Sequence, residues 1–238
     1  MKHLAEYMAT FVGYGNVRAP LWFIGMEEGS GTGLDELTRR VDAWHERGQR
    51  PLEDLGDFHR AIGLDRHFRS PYPLQSTWRP LLRTLLAWRG ETSSPKRLRE
   101  VQASELGTST SDTALLELLP LPAPSVADWP YASLALTHPE LADRRTYRRL
   151  NEPRRLETLQ RMVRREMPQT VVCYGLQYRA AWAGLSESEL VEQHLAGVRY
   201  WRGAHAGTVV LVVPHPVARG ASSAFWEGLG RQEAGRTV

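Results

Sequence analysis

The sequence predicts an α/β fold in which a parallel sheet is covered by helices on both faces. Three observations carry this expectation: four short apolar runs recur along the 238 residues, helical stripes separate them, and each run ends at a glycine- or proline-rich exit. The first run, Leu21-Trp22-Phe23-Ile24, follows Pro20 and opens into the stretch from Gly25 to Gly33, as a buried parallel strand opens into a loop above its carboxyl end. Leu34, Leu37, Val41 and Trp44 then carry the spacing of an amphipathic helix. Residues 48–75, punctuated by Gly, Pro and Asp, read as a long connection with a short helix near Phe58.

A second helical stripe runs from Ser76 to Trp88, with Pro80 in its first turn. The polar stretch 90–112 holds a surface loop and a weak helix. Thr113 to Leu119 is the second strand, charged only at Glu117 and ended by Pro120-Leu121-Pro122-Ala123-Pro124. Asn151 is placed to cap a helix from Arg154 to Met167, with Pro153 in the first turn. Val171-Val172-Cys173-Tyr174-Gly175 is the third strand, turning at glycine into a helix from Gln177 to Trp182. A helix over Glu187 to His194, the apolar strand Val209 to Val213, the exit Pro214-His215-Pro216 and a closing helix from Ser222 to Leu229 complete the chain.

Composition bounds the function. With 42% hydrophobic and 24% charged residues the chain belongs with ordinary globular domains, which excludes a disordered tail, a collagen-like chain or a coiled coil; a single domain over residues 1–238 is expected. No apolar run is long enough to span a bilayer, and the residues after Met1 lack a signal-peptide core, so a cytoplasmic protein without a membrane partner is expected. Cys173 is the only cysteine, which excludes an internal disulfide, a cysteine-based zinc site and an iron–sulfur cluster. Of 30 basic residues only Lys2 and Lys96 are lysines. Two readings of this skew stay open: codon bias, or phosphate contact by planar guanidinium groups.

Ligand sites in such sheets lie at the carboxyl ends of the strands. The unusual ends here are Gly25 to Gly33, Glu117 to Pro124 and Pro214 to Gly220. A phosphate-binding loop of the NTPase type is excluded, because no lysine lies near the glycines. Adjacent carboxylates at Glu27 and Glu28 suit chemistry that develops positive charge or needs a water deprotonated; the alternative is that either one caps a helix or pairs with an arginine. His215, between two prolines, is held stiffly enough to hydrogen-bond a leaving group, and Arg219 suits a phosphate contact or a wedge.

Together these ends resemble the uracil-DNA glycosylase superfamily. Gly25-Met26-Glu27-Glu28-Gly29 resembles its first motif, a glycine, two variable residues, usually proline, then glycine. His215-Pro216-Val217-Ala218-Arg219 resembles its second, histidine-proline-serine followed by a loop that enters DNA. The resemblance implies a three-layer αβα sandwich around a central, mostly parallel four-stranded sheet. It implies an enzyme that flips a nucleotide from double-stranded DNA and hydrolyses its N-glycosidic bond. In that scheme Glu27 and Glu28 supply the carboxylate for water and sugar cation, and His215 bonds the departing base. Gly25, Met26 and Gly29 line the pocket, and Pro216, Val217, Ala218 and Arg219 enter the helix. Neither lysine lies in a candidate site, so a monofunctional enzyme is expected, working as a monomer without cofactor or metal.

The sequence also departs from that pattern. Uracil-reading members carry an asparagine on the central strand, but Asn16 and Asn151 are the only asparagines and neither lies there. The polar residue in that stretch is Glu117; ionised, it accepts only, which suits the exocyclic amine of cytosine. Glu28 stands where proline is usual and Val217 where serine is common. A branch with a similar pattern comprises anti-phage glycosylases that remove glucosylated hydroxymethylcytosine. Trp44, His59, Tyr72 and Trp78 either face such a bulky base or pack in the core. A modified cytosine is therefore the expected substrate. The alternatives are a uracil-repair glycosylase, a catalytically silent DNA-binding module of the same fold, and a different hydrolase acting on a nucleoside-like substrate.

Overall fold

The computed structural model describes residues 1–29, 33–125 and 127–234; Ser30, Gly31 and Thr32 of the glycine-rich stretch lie outside the described residues. The elements in chain order are α1 (Leu4–Thr10), β1 (Gly13–Gly15), β2 (Leu21–Gly25), α2 (Leu34–Glu46), β3 (Leu52–Glu53), α3 (Leu55–Ala61), α4 (Trp78–Trp88) and α5 (Pro95–Ser104). They continue as β4 (Thr113–Glu117), α6 (Arg144–Glu166), β5 (Thr170–Tyr174), α7 (Arg179–Ala183), β6 (Val191–Leu195), β7 (Val198–His205), β8 (Thr208–Val213) and α8 (Ser223–Ala234).

The class is α/β, as expected, but the sheet is not four-stranded. Among the described residues it has eight strands in the order β3-β1-β4-β2-β5-β8-β7-β6. Its middle is parallel: β4, β2, β5 and β8 pair in one direction, and these are the four apolar runs of the sequence. All five residues of β2 and of β5 are buried, so both faces are covered there. The added strands lie at the two edges. At one, β1 runs antiparallel to β4 and carries β3. A Cβ at Gly13 would stand 2.1 Å from the Leu115 carbonyl oxygen, so this close pairing requires glycine.

At the other edge, the expected helix over 187–194 is instead strand β6 for residues 191–195, antiparallel to β7, which is antiparallel to β8. Two-residue turns join them, Ala196-Gly197 and Ala206-Gly207, and all four residues have positive φ. That is the backbone of a primed hairpin turn, whose twist matches the flanking strands. The hairpins override the weak helical pattern of residues 187–194.

Helix α6 begins well before the expected start. Asp143 caps it, accepting from the Thr146 N–H at 2.8 Å, and the helix continues through Pro153. Asn151 is an interior residue whose side chain donates to the Tyr147 carbonyl at 2.9 Å. Tyr147, Arg155, Leu159 and Val163 form the stripe that holds α6 to the core. Because α6 starts beside the exit of β2 and ends just before β5, it runs from the carboxyl ends of the parallel strands toward their amino ends. Among the described residues no helix is long and apolar enough to cross a membrane.

Candidate functional site at the carboxyl ends of the parallel strands

Register places the ends of the four parallel strands side by side. Gly25 pairs with Glu117, Ile24 with Cys173, and Tyr174 with Val213, two residues before His215. Across the sheet the ends therefore read Glu117, Gly25, Tyr174, His215. Gly25 opens this row: a Cβ there would stand 2.3 Å from Tyr174 Oη and 2.4 Å from Glu117 Oε2. The missing side chain lets the two polar groups meet above β2.

Beyond Gly25 the chain is pinned to the exit of β4. The N–H groups of Leu118, Leu119 and Ala123 donate to the carbonyls of Gly25, Met26 and Glu28 at 2.9, 2.8 and 2.9 Å, and Gly29 bridges Ala123. Met26 is buried, and Glu27 and Glu28 leave this backbone toward different surroundings.

Glu28 enters a buried charge cluster. Its carboxylate accepts from Tyr14 Oη at 2.7 Å and from Arg40 Nη1 and Nη2 at 2.9 and 3.0 Å, and it contacts His59 Nε2 at 3.1 Å. Arg40 also holds buried Glu36 at 3.0 Å. Burial alone would raise the Glu28 pKa, but the Arg40 charge and the His59 bond outweigh it and hold the carboxyl well below the usual range. The arginine-paired alternative is the one this residue adopts, and four donors leave its carboxylate little room to take a proton. His59, engaged here and with the Leu55 carbonyl, and fully buried Trp44 are core residues; neither faces an incoming base.

Glu27 is the less engaged acid. Its partner is Arg144 Nη2, at the start of α6, and burial raises its pKa against the attraction of that guanidinium. Arg144 also donates to the Ser125 carbonyl at 3.2 Å and lies over the Trp129 ring, while its Nη1 is buried with no partner among the described residues.

Glu117 is the third carboxyl. Tyr174 Oη donates to its Oε1 at 3.4 Å, and its Oε2 is buried with no partner among the described residues. Burial, then the charges of Glu28 and Glu27, raise its pKa well above the usual carboxylate range, which favours the protonated acid. Arg155 does not neutralise it: that guanidinium donates to the backbone carbonyls of Leu118 and Glu117 at 2.9 and 3.0 Å, and burial lowers its own pKa to about 10.

His215 is half-buried, with its ring edge-on to Tyr174 at 5.6 Å between centroids. Burial lowers its pKa, which favours the neutral ring. The Val217 N–H points at Nδ1 from 3.4 Å, which favours the tautomer of the neutral ring with its proton on Nε2. Pro216 is buried beneath a loop in which Val217, Ala218 and Arg219 are exposed.

The structure thus brings Gly25, Glu117 and His215 together around Tyr174, sets Glu27 on the adjoining exit of β2, and turns Glu28 away into the Arg40 cluster. Tyr174 and Arg144 were not among the residues the sequence singled out. The available signal for Tyr174 was its place as the last strand residue before Gly175. Two surface cavities, of about 560 and 490 Å³, lie elsewhere: one between α7 and β7, the other between β1 and α6. Among the described residues no group of three or more His, Cys, Asp or Glu is placed to hold a metal ion. The chain matches no protein-family model and no curated protein.

Proposed function

We infer that the chain is a DNA glycosylase of the uracil-DNA glycosylase type, acting on a flipped pyrimidine. The observation that carries this reading is the row Glu117, Gly25, Tyr174, His215 across four adjacent parallel strand ends, with the acid Glu27 on the same edge. The four-stranded parallel core inside the larger sheet fits the three-layer arrangement of that superfamily.

The chemistry follows from the groups. Cleaving an N-glycosidic bond places positive charge on the sugar and negative charge on the base. Glu27 is the carboxylate beside the sugar: it stabilises the cation and orients water, with the Arg144 charge favouring its ionised form against the burial that raises its pKa. The Nε2–H of His215 donates to the pyrimidine O2 as negative charge collects there. Neutral Glu117 meets the far edge of the base. A carboxylic acid offers one donor and one acceptor, the complement of cytosine N3 and its 4-amino group. Read this way, Glu117 serves a cytosine through two hydrogen bonds rather than the single one of an ionised acid. The same pair also complements uracil N3–H and O4, and this favours uracil as the second substrate.

The test uses duplexes containing uracil, hydroxymethylcytosine or its glucosylated form, with alkali to break any abasic site. Strand breaks that depend on Glu27 and His215 support the reading. Binding without breaks on every duplex identifies a silent DNA-binding module, and activity on free nucleosides alone identifies a different hydrolase.

A further inference from the structure

The first turns of α6 carry four arginines, Arg144, Arg145, Arg148 and Arg149, and the fold accounts for only two of them. Arg144 pairs with Glu27. Arg148 pairs with Glu152 at 2.9 Å and lies over the Tyr178 ring, 5.4 Å from its centroid. Arg145 and Arg149 are exposed, and among the described residues neither guanidinium makes a hydrogen bond or an ion pair. The nearest carboxylate in sequence, Asp143, bonds both the N–H and the hydroxyl of Thr146, each at 2.8 Å.

This placement is unfavourable for the helix itself. Like charges four residues apart repel, and cations at a helix N-terminus oppose its dipole. The charge of the neighbouring Asp143 offsets part of these terms at Arg145, but among the described residues Arg149 has no ion-pair partner. They stand on the solvent face, opposite the Tyr147 stripe, at the end of α6 that abuts Glu27. One turn separates them, about 6 Å along the helix axis.

We propose that the Arg145–Arg149 face of α6 binds the phosphate backbone of the DNA strand that delivers its base to the strand-end site. This rests on the reading above, which makes DNA the substrate. It adds a second contact to the exposed loop of Val217 to Arg219, on the other side of Glu27 from His215 in the order of the elements.

The experiment measures binding of a labelled duplex carrying a tetrahydrofuran abasic analogue across a series of salt concentrations. Each phosphate contact contributes about 0.9 to the slope of log K against log salt. The double variant Arg145→Gln/Arg149→Gln should lower that slope by about 1.8. The control is Arg161→Gln/Arg165→Gln, which removes the same charge from 67% and 71% exposed side chains near the other end of α6 and should leave the slope as it is. An unchanged slope in the first variant, or equal losses in both, overturns the proposal even where wild-type excision proceeds. A slope loss confined to the first variant, in a protein that excises nothing, supports this surface and removes the glycosylase reading alone. No duplex binding by the wild-type chain overturns both.

Discussion

The Tyr174 hydroxyl donates to the Glu117 carboxyl across the top of Gly25, at 3.4 Å, and so joins the ends of β5 and β4 over the strand that separates them. The other side of the same ring meets His215. One side chain thereby touches both Glu117 and His215, the groups proposed to read the base and to receive its charge.

If Glu117 reads the base as a protonated acid, the form its burial favours, an amide can replace it. Glu117→Gln should keep excision within about tenfold of wild type, whereas Glu117→Ala should lose roughly 10²-fold, the scale of removing hydrogen bonds from a buried polar substrate edge. Equal losses in the two variants would show that an ionised carboxylate is required.

The same residue sets a pH dependence of stability. A carboxyl whose folded pKa is raised binds its proton more tightly when folded, so its contribution is complete below the unfolded pKa and fades as pH rises through the folded one. Thermal melts should show Glu117→Gln gaining on wild type as pH rises from 4 to 9. A constant margin would place the charge elsewhere.

Glu28 has the opposite sign. Its folded pKa is depressed, so its contribution is present above the unfolded value and is lost as acid protonates it. Arg40→Met leaves half-buried Glu28 and buried Glu36 without their shared cation, and urea titration at pH 7 should show a loss of about 3–5 kcal/mol. A loss under about 1 kcal/mol would mean that the cluster does not anchor the first motif.

Gly25→Ala tests the open floor of the site. The new methyl would overlap Tyr174 Oη and Glu117 Oε2, so it should displace both and cost about 1–3 kcal/mol of overpacking. Excision should fall with it. Wild-type activity in this variant would show that the two groups need not meet above β2.

The parallel core and its exits were legible because they follow local rules: a continuous apolar run ended by glycine or proline marks a buried parallel strand. The edges were not. Gly13-Tyr14-Gly15 sets one strand-favouring residue between two glycines and becomes β1 through pairing with β4 and β3, and the Ala-Gly turns hold alanine at a positive φ that sequence reading does not anticipate. Glu27 and Glu28 looked equivalent because their difference is tertiary. Tyr14, Arg40 and His59 reach Glu28 from three separate elements, and Arg144 reaches Glu27 from a helix more than a hundred residues away. Likewise, Glu117 is identifiable as polar in any reading of the chain, but its protonation is set by burial and by two other carboxyls that only folding brings near.

The reading of the strand-end groups as a base-excision site stands or falls on single-turnover release of free base from a duplex panel, measured for wild type, Glu27→Gln and His215→Ala at matched protein fold and binding. Wild type should release a pyrimidine. His215→Ala should be slower by about 10²–10³-fold, as when one donor to a developing anion is removed, and Glu27→Gln should be slower still. Release of no base by a wild-type protein that binds the duplex, or release by both variants at the wild-type rate, would contradict it.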